Sequence, residues 1–364
     1  MSAVYFFCAL CHFPSSGVTP SHYSDIGSIF SDRGVGPNKV PYVDYNLEYP
    51  PITGLIIWAA GSFGSEVSYH CATAALMYPF VLMTVISLYL TCKAKKIDIN
   101  RIFIWCILAL SMIWFVYYSW DIVAIGFMCA AIYFRVTNRT KMSSMFLGLG
   151  AAAKLIPIFL LPVFMLQEKK WTKRFQVAGI ALGVFLIFNF PFMIWNFNGW
   201  LWIYSHTASW GLENVFWLYL FGPSETFLPK VGFGLLLLFF TIAILRRKMG
   251  FLPKCWAMMA AFLASTYMFP PQFSLFLLPL LALVPAMSLP FFYAFDLANV
   301  SIVILWFNQY GVYPGGPLDP ASPVQWISTF RQLLLMALLI KFLFPEVLRR
   351  KPSFARFWRR ARKN

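Results

Sequence analysis

Two kinds of ionisable side chain in this sequence lie where they could do chemistry. Asp25 follows the first apolar stretch, in a loop that also carries Asp44 and Glu48. A carboxylate held in such a loop could accept the proton of a hydroxyl group as a general base. Lys154 and Arg331 lie inside apolar stretches, where an ionisable side chain is costly and indicates a functional site. Both can bind phosphate oxygens, Lys154 as a point charge and Arg331 through its planar guanidinium group.

The composition indicates which elements must position these residues. Of the 364 residues, 60% are hydrophobic and only 12% are charged. A soluble domain contains roughly 25% charged residues, so this chain has too few to cover a surface that faces water. The composition therefore excludes an ordinary soluble enzyme, a disordered chain and a nucleic-acid-binding module. It predicts an all-α polytopic membrane protein.

The placement of the basic residues predicts how the helices are oriented. The formal net charge is +16, and most Lys and Arg residues lie in clusters between the apolar stretches. Cytoplasmic loops of membrane proteins carry such an excess. The clusters lie at residues 93–101, 135–141, 169–174, 246–254 and 341–363. Most of the 13 acidic residues fall on the opposite, extracytoplasmic face. The basic tail, 346–364, is predicted to contact anionic lipid rather than nucleic acid.

The apolar stretches predict about ten transmembrane helices in a single membrane domain, 1–364. We place them near residues 1–13, 68–92, 102–119, 121–134, 175–196, 229–245, 255–269, 272–287, 288–311 and 323–345. Two long extracytoplasmic loops are predicted at 14–67 and 197–228. Asp296 lies within one predicted helix and has no evident partner.

Residues 142–167 are the exception to this pattern. Basic clusters flank the segment on both sides, so it must enter and leave on the cytoplasmic face. It is long enough to cross once but not twice. We therefore predict a re-entrant hairpin that turns near Lys154. Re-entrant backbone is tolerated only where protein or a water-filled cavity covers it, which predicts a cavity around Lys154.

Two motifs resemble those of a known class of membrane enzymes. Residues 41–51 read Pro-Tyr-Val-Asp-Tyr-Asn-Leu-Glu-Tyr-Pro-Pro, which resembles glycosyltransferase family 87, the polyprenyl-phosphate mannosyltransferases of the GT-C class. Residues 270–280 contain Pro-Pro-Gln-Phe and then Leu-Pro-Leu. This stretch is similar to one in the dolichyl-phosphate mannosyltransferase that starts the glycolipid anchor, except that Phe273 replaces the usual Tyr.

The resemblance implies a GT-C-like fold with a large first extracytoplasmic loop, and an inverting transferase. Such an enzyme moves a hexose, most commonly mannose, from a polyprenyl or dolichyl phosphate to a glycolipid or lipid-linked glycan. It works at the extracytoplasmic face of a plasma membrane in prokaryotes or of the endoplasmic reticulum in eukaryotes. The donor has no diphosphate to neutralise, so no metal or other cofactor is expected. The expected partners are the lipid-linked donor, the glycan or glycolipid acceptor and the bilayer, with no nucleic acid.

The resemblance also implies a role for each candidate residue. Asp25 would be the catalytic base, and Lys154 and Arg331 would bind the donor phosphate. The predicted substrate-binding residues are Asp44, Glu48, Tyr49, His206 and Gln272.

Each role has a simpler structural alternative. Asp25 could cap a helix that begins at Ser24-Asp25, and Lys154 could extend its ammonium group to the membrane surface. Asp44, Glu48 and His206 could be solvated loop residues. At the level of the whole chain, the alternative is a polytopic transporter or lipid flippase. Transporters usually contain internal repeats, and this sequence shows none.

Overall fold

A computed structural model describes residues 1–13, 23–308 and 312–345 of the chain. Over these ranges the fold is helical, and the only β-type contacts are two isolated bridges, Pro41–Tyr45 and Glu213–Met268. The first part of the predicted outer loop, 14–22, and the predicted basic tail, 346–364, lie outside the described residues.

The α-helices are numbered in chain order. They are α1 (Ser2–Cys11), α2 (Asp25–Asp32), α3 (Pro51–Gly61), α4 (Glu66–Lys95), α5 (Asn100–Ile102), α6 (Leu110–Phe115), α7 (Asp121–Val136), α8 (Thr140–Ala153), α9 (Leu161–Leu166), α10 (Trp171–Trp195), α11 (Phe197–Ser209), α12 (Trp217–Phe221), α13 (Phe227–Arg246), α14 (Phe251–Ser265), α15 (Leu278–Leu283), α16 (Leu289–Asn308) and α17 (Pro323–Leu343). A π-helical turn at Phe103–Ile107 and 3-10 helices at Ile156–Leu160, Pro271–Phe276 and Gly316–Leu318 complete the set.

Five of the described helices are long and apolar enough to cross a membrane. These are α4, α10, α13, α16 and α17. Large apolar side chains on them face outward: Ile187 on α10 is 67% exposed and Leu235 on α13 is 64% exposed. Such surfaces need lipid rather than water around them. The chain is therefore an integral membrane protein, as the composition predicts.

The helices pack in two groups that meet around α7 and α14. The first group is α4, α7, α8 and α10, and the second is α13, α14, α16 and α17. α7 and α14 form the interior, since most residues of each are buried. The 3-10 helices at 156–160 and 271–276 lie between the groups and contact both α7 and α14.

Two predicted crossings are interrupted rather than continuous, so the count of about ten helices is not confirmed. The stretch 102–119 breaks between the π-helical turn and α6. There the Asp296 carboxylate of α16 accepts hydrogen bonds from the backbone N–H groups of Leu110 (2.6 Å) and Ser111 (3.1 Å). Asp296 thus has a partner, and it satisfies the free N–H groups that start a helix. The stretch 272–287 likewise divides into a 3-10 helix and the short helix α15.

The segment 142–167 turns back at Lys154. α8 ends at Ala153, and the chain returns through the 3-10 helix and α9. The Lys154 ammonium group pairs with Asp121, the first residue of α7. Glu168, beyond the return, pairs with Arg135 near the other end of α7, at 3.0 Å. Both ends of the segment therefore lie at the same end of α7. Its re-entry into a bilayer stays a prediction.

Candidate active site

Helix α2 places the Asp25 carboxylate. The Ser24 hydroxyl caps this helix by accepting a hydrogen bond from the N–H group of Gly27 at 3.2 Å. Asp25 is the first helical residue, and its own N–H group donates to the Tyr118 carbonyl at 3.0 Å. Because Ser24 provides the cap, the carboxylate of Asp25 is available for other contacts.

That carboxylate meets two of the predicted substrate-binding residues. Its Oδ2 accepts a hydrogen bond from the Tyr49 hydroxyl at 3.1 Å and from the Gln272 side-chain amide at 3.3 Å. Tyr49 belongs to the first motif and Gln272 to the second. The fold thus brings the two motifs to one carboxylate, although 247 positions separate Gln272 from Asp25.

Lys154 lies beside Tyr49. Its ammonium group pairs with the fully buried Asp121 and lies 4.4 Å from the centre of the Phe273 ring and 5.5 Å from that of Tyr49. The side chain is 15% exposed. An ammonium group carries three donors, so the pairing with Asp121 leaves donors for a further anion.

Glu213 is a second carboxylate near Asp25. Its N–H group donates to the Tyr267 carbonyl at 3.4 Å, and its carbonyl accepts from Phe269 at 2.9 Å. This short parallel bridge attaches Glu213 to the segment that leads into Gln272. Glu213 is half-buried, and its side chain accepts a hydrogen bond from Asn214 at 3.2 Å.

The environment makes both carboxylates weaker acids than usual. Burial raises the pKa of Asp25 to about 7, while nearby Lys154 lowers that pKa and Asp121 raises it. Burial also raises the pKa of Glu213 to about 7; Asp25 raises it further and Arg331 lowers it. A carboxyl group with a pKa near neutrality is suited to exchange a proton during a reaction.

Arg331 lies on α17, within the last predicted crossing. It is fully buried, and its guanidinium donates to the Asn299 side-chain oxygen (2.6 Å) and to the carbonyls of Phe269 (2.6 Å) and Asn214 (3.1 Å). The Phe269 ring stacks against it at 3.7 Å. With these donors bound to protein acceptors, this geometry gives no support to a role for Arg331 in binding phosphate.

The other predicted residues lie apart from Asp25 or have protein partners. Asp44 is exposed and accepts a hydrogen bond from the Val40 N–H group at 2.7 Å, which closes a local turn. Glu48 forms an ion pair with Arg33. His206 stacks on Trp202 with ring centres 4.1 Å apart and accepts from the Trp210 indole at 3.0 Å. Arg33 covers Trp202 at 5.1 Å, so this row of side chains joins the two predicted outer loops.

Comparison with known proteins gives a distant structural likeness. No protein-family model and no curated protein matches this chain. A solved structure of ArnT from Cupriavidus metallidurans, bound to undecaprenyl phosphate, matches with 13% identity and a TM-score of 0.47. The match covers 94% of this chain and 76% of that one. At this distance the likeness does not decide the activity.

Two members of the site, Asp121 and Glu213, are not among the predicted site residues. Both residues lie on the face that the sequence predicts to be acidic and extracytoplasmic. That placement is the signal by which they could have been found. Their closeness to Lys154 and Asp25 depends on how α7, α8 and the 213–216 segment pack, which the sequence pattern does not encode. Among the described residues, no group of three or more His, Cys, Asp or Glu side chains could hold a metal ion. Metal independence stays a prediction.

Proposed function

We propose that the chain is an inverting glycosyltransferase that takes a hexose from a polyprenyl or dolichyl phosphate and transfers it to a hydroxyl of a glycolipid or lipid-linked glycan. The observation that carries this proposal is the convergence of Asp25, Tyr49, Gln272 and the Lys154–Asp121 pair at one end of α7 and α8. The motifs of the sequence suggest mannose as the hexose and the extracytoplasmic face as the location.

Asp25 acts as the base in this reaction. It takes the proton from the acceptor hydroxyl as that oxygen forms a bond to the anomeric carbon of the donor sugar. The bond from that carbon to the phosphate oxygen breaks on the opposite side, and the electron pair leaves with the lipid phosphate. The Tyr49 hydroxyl and the Gln272 amide, both bonded to Oδ2, hold the carboxylate in place for this transfer.

Lys154 stabilises the leaving phosphate. Its ammonium group is partly exposed and lies 5.5 Å from the centre of the Tyr49 ring, whose hydroxyl donates to the Asp25 carboxylate. Asp121 fixes the ammonium group before the donor binds, and the remaining donors of Lys154 reach the phosphate. The negative charge that develops on the leaving phosphate is then stabilised by an ammonium group that is already in position.

Glu213, the second half-buried carboxylate, binds the acceptor. A carboxylate can accept two hydrogen bonds from neighbouring sugar hydroxyls. Glu48 and His206 belong to the row of side chains between the two outer loops and extend this acceptor surface. Asp44 is exposed, and in this proposal it lies at the edge of the acceptor surface and contacts the more distant sugar hydroxyls.

The site geometry favours an enzyme over a transporter. Asp25 and Asp121 begin their helices, and Lys154 follows the last residue of α8. Transporters instead bind substrate near the middle of the membrane, between broken helices that recur in two related halves. A cluster of carboxylates at helix ends is better placed for reaction with a glycan at the membrane surface.

The test is an assay of the purified protein with radiolabelled polyprenyl-phosphate mannose and a total lipid extract, with polyprenyl-phosphate glucose in parallel. We expect label to move into a glycolipid, and the Asp25→Asn variant to move none above background. Uptake of label into proteoliposomes without covalent transfer would instead support a transporter. Absence of both activities with either donor would contradict the proposal.

A further inference from the structure

Helix α17 presents a buried polar face to the site. Gln325, Ser328, Arg331 and Gln332 recur at helical spacing, and all four are buried. A buried polar side chain costs stability unless it is hydrogen-bonded, so a row of them indicates a specific set of partners. Apart from the Pro317 carbonyl and the Asn299 side chain, their partners outside α17 lie on two segments, one at 214–216 and the other at 263–269.

Arg331 joins these two segments directly. One of its terminal nitrogens donates to both the Asn214 carbonyl at 3.1 Å and the Phe269 carbonyl at 2.6 Å. Asn214 follows Glu213, and Phe269 precedes the Pro270-Pro271-Gln272 sequence. The guanidinium thus fixes the backbone on either side of the Glu213–Met268 bridge.

Asn299 extends the link to the loop that carries Gln272. Its side-chain oxygen accepts from Arg331 at 2.6 Å, and its amide donates to the Pro271 carbonyl at 2.9 Å and to the Ser274 hydroxyl at 2.8 Å. Asn299 is itself fully buried on α16. The residues on both sides of Gln272 are therefore connected to Arg331 through one side chain.

We propose that Arg331 is a positioning residue, which sets where Glu213 and Gln272 stand relative to Asp25 by joining the segments that carry them. This inference rests on the proposed glycosyl transfer for its effect on rate. A guanidinium suits the task because it offers several donors in a rigid planar arrangement, which neither Lys nor Gln reproduces. It touches neither the substrate nor the reacting atoms and acts through Gln272 and Glu213.

The first test is a double-mutant cycle of Arg331→Gln and Gln272→Ala. We expect Arg331→Gln alone to lower kcat by about 10²-fold, the scale of a small misplacement in a site, with the KM for the donor nearly unchanged. Because Arg331 affects kcat in large part through Gln272, the fold-loss of kcat in the double variant should be much smaller than the product of the fold-losses in the two single variants. Losses that multiply, or an Arg331→Gln variant with normal kcat, would overturn the proposal.

The chain offers a matched control in Arg101. Its guanidinium also donates to two backbone carbonyls, those of Ala282 at 2.8 Å and Leu281 at 2.9 Å, away from the site residues. Arg101→Gln should lower thermal stability without changing kcat. An equal loss of kcat in both Arg variants would mean that Arg331 only stabilises the fold.

Two further measurements keep the proposal testable if Arg331→Gln does not fold or if the protein transfers no sugar. Asn299→Asp keeps an acceptor for Arg331 and removes the donor to the Pro271 carbonyl, so it should lower kcat although Arg331 stays paired. Hydrogen exchange needs no activity at all. We expect faster exchange in 272–274 in the Asn299→Asp variant than in wild type, while 213–216, which Arg331 still holds, should be unchanged. Unchanged exchange in 272–274 would overturn the inference even if the proposed function also fails.

Discussion

At the scale of single residues, the neighbours Ser24 and Asp25 divide two tasks. Ser24 supplies the hydroxyl that caps α2, while the Asp25 carboxylate contacts Tyr49 and Gln272. Asp is a good capping residue, so the sequence leaves open which of the two would serve. The geometry assigns the cap to Ser24 and makes the chemistry of Asp25 separable from the stability of its helix.

Asp25→Asn should therefore lose turnover without losing the fold. We expect kcat to fall by about 10²–10⁴-fold, the usual contribution of a positioned proton acceptor. Ser24→Ala is the control, since it should lower the free energy of unfolding by about 0.5–2 kcal/mol while the base is retained. Transfer kinetics and thermal unfolding in detergent measure the two effects. Near-normal turnover in Asp25→Asn would place the base elsewhere in the loop, with Asp44 or Glu48 the next to replace.

The rate should depend on pH through the same carboxylate. With a pKa raised to about 7, Asp25 is protonated and inactive as a base below that pH, so kcat/KM should rise with pH and level off above it. Lys154 lowers this pKa, so its removal in Lys154→Met should shift the rising limb to higher pH. Glu213 also has a pKa raised to about 7. The Glu213→Gln variant shows how much of the pH dependence of kcat/KM comes from Glu213. If the rise of kcat/KM with pH occurs at lower pH in Lys154→Met than in wild type, this electrostatic arrangement is contradicted.

Lys154 itself should matter for the donor more than for the acceptor. Lys154→Met alone leaves the buried Asp121 unpaired, which costs stability, so Lys154→Met combined with Asp121→Asn is the cleaner variant. We expect it to raise the KM for the polyprenyl-phosphate sugar and to leave the KM for the acceptor nearly unchanged. Lys230→Met is a matched control, because Lys230 is half-buried and also lies against an aromatic ring, that of Tyr267, but its ammonium group donates to the Ala208 carbonyl. An unchanged donor KM would remove Lys154 from the phosphate site.

At the scale of helices, α8 carries Lys154 to the site by packing closely against α10. A Cβ atom built on Gly148 of α8 would lie 2.3 Å from the Ala181 carbonyl oxygen of α10. On α10 itself, a Cβ on Gly183 would meet nothing within 4 Å. One glycine thus allows the two backbones to approach, while the other has open space around it.

Gly148→Ala should consequently destabilise the protein by about 1–3 kcal/mol, because the two helices must separate to admit the methyl group. Gly183→Ala adds the same atom where there is room, and the higher helix propensity of Ala should leave stability equal or slightly raised. Thermal unfolding in detergent compares the pair. Equal losses in both variants would mean that α8 and α10 do not pack as described.

The helices are the elements that the sequence patterns predict least completely. Apolar stretches predicted the long helices well, for example 68–92 against the observed α4, Glu66–Lys95. They could not predict the break before α6, because the carboxylate that stabilises it belongs to Asp296, 186 positions further along the chain. The same limit applies to Arg331. Sequence shows that a buried guanidinium needs partners, but only the packing of α16 and α17 shows that protein oxygens provide them.

At the scale of the whole molecule, the orientation in the membrane is a prediction from charge placement. Single cysteines introduced into a cysteine-free background should label from outside at Lys39 and Gly211, and from inside at Lys95, Asn138 and Thr172, all exposed in the structure. Since the segment between Asn138 and Thr172 turns back at Lys154, these two should label from the same side. Labelling of Asn138 and Thr172 from opposite faces would contradict the re-entrant hairpin.

The polar face of α17 has a consequence for how the protein is made. α17 is the last helix that the structure describes, and chains are synthesised from the N-terminus onward. Asp25, Lys154 and Gln272 therefore enter the membrane before Arg331 has left the ribosome. Until α17 inserts, the carbonyls of Asn214 and Phe269 lack the donor that joins them. If the proposed function holds, a nascent chain should thus already contain the proposed base and the proposed phosphate-binding cation and yet be inactive, so that an incomplete protein consumes no lipid-linked sugar.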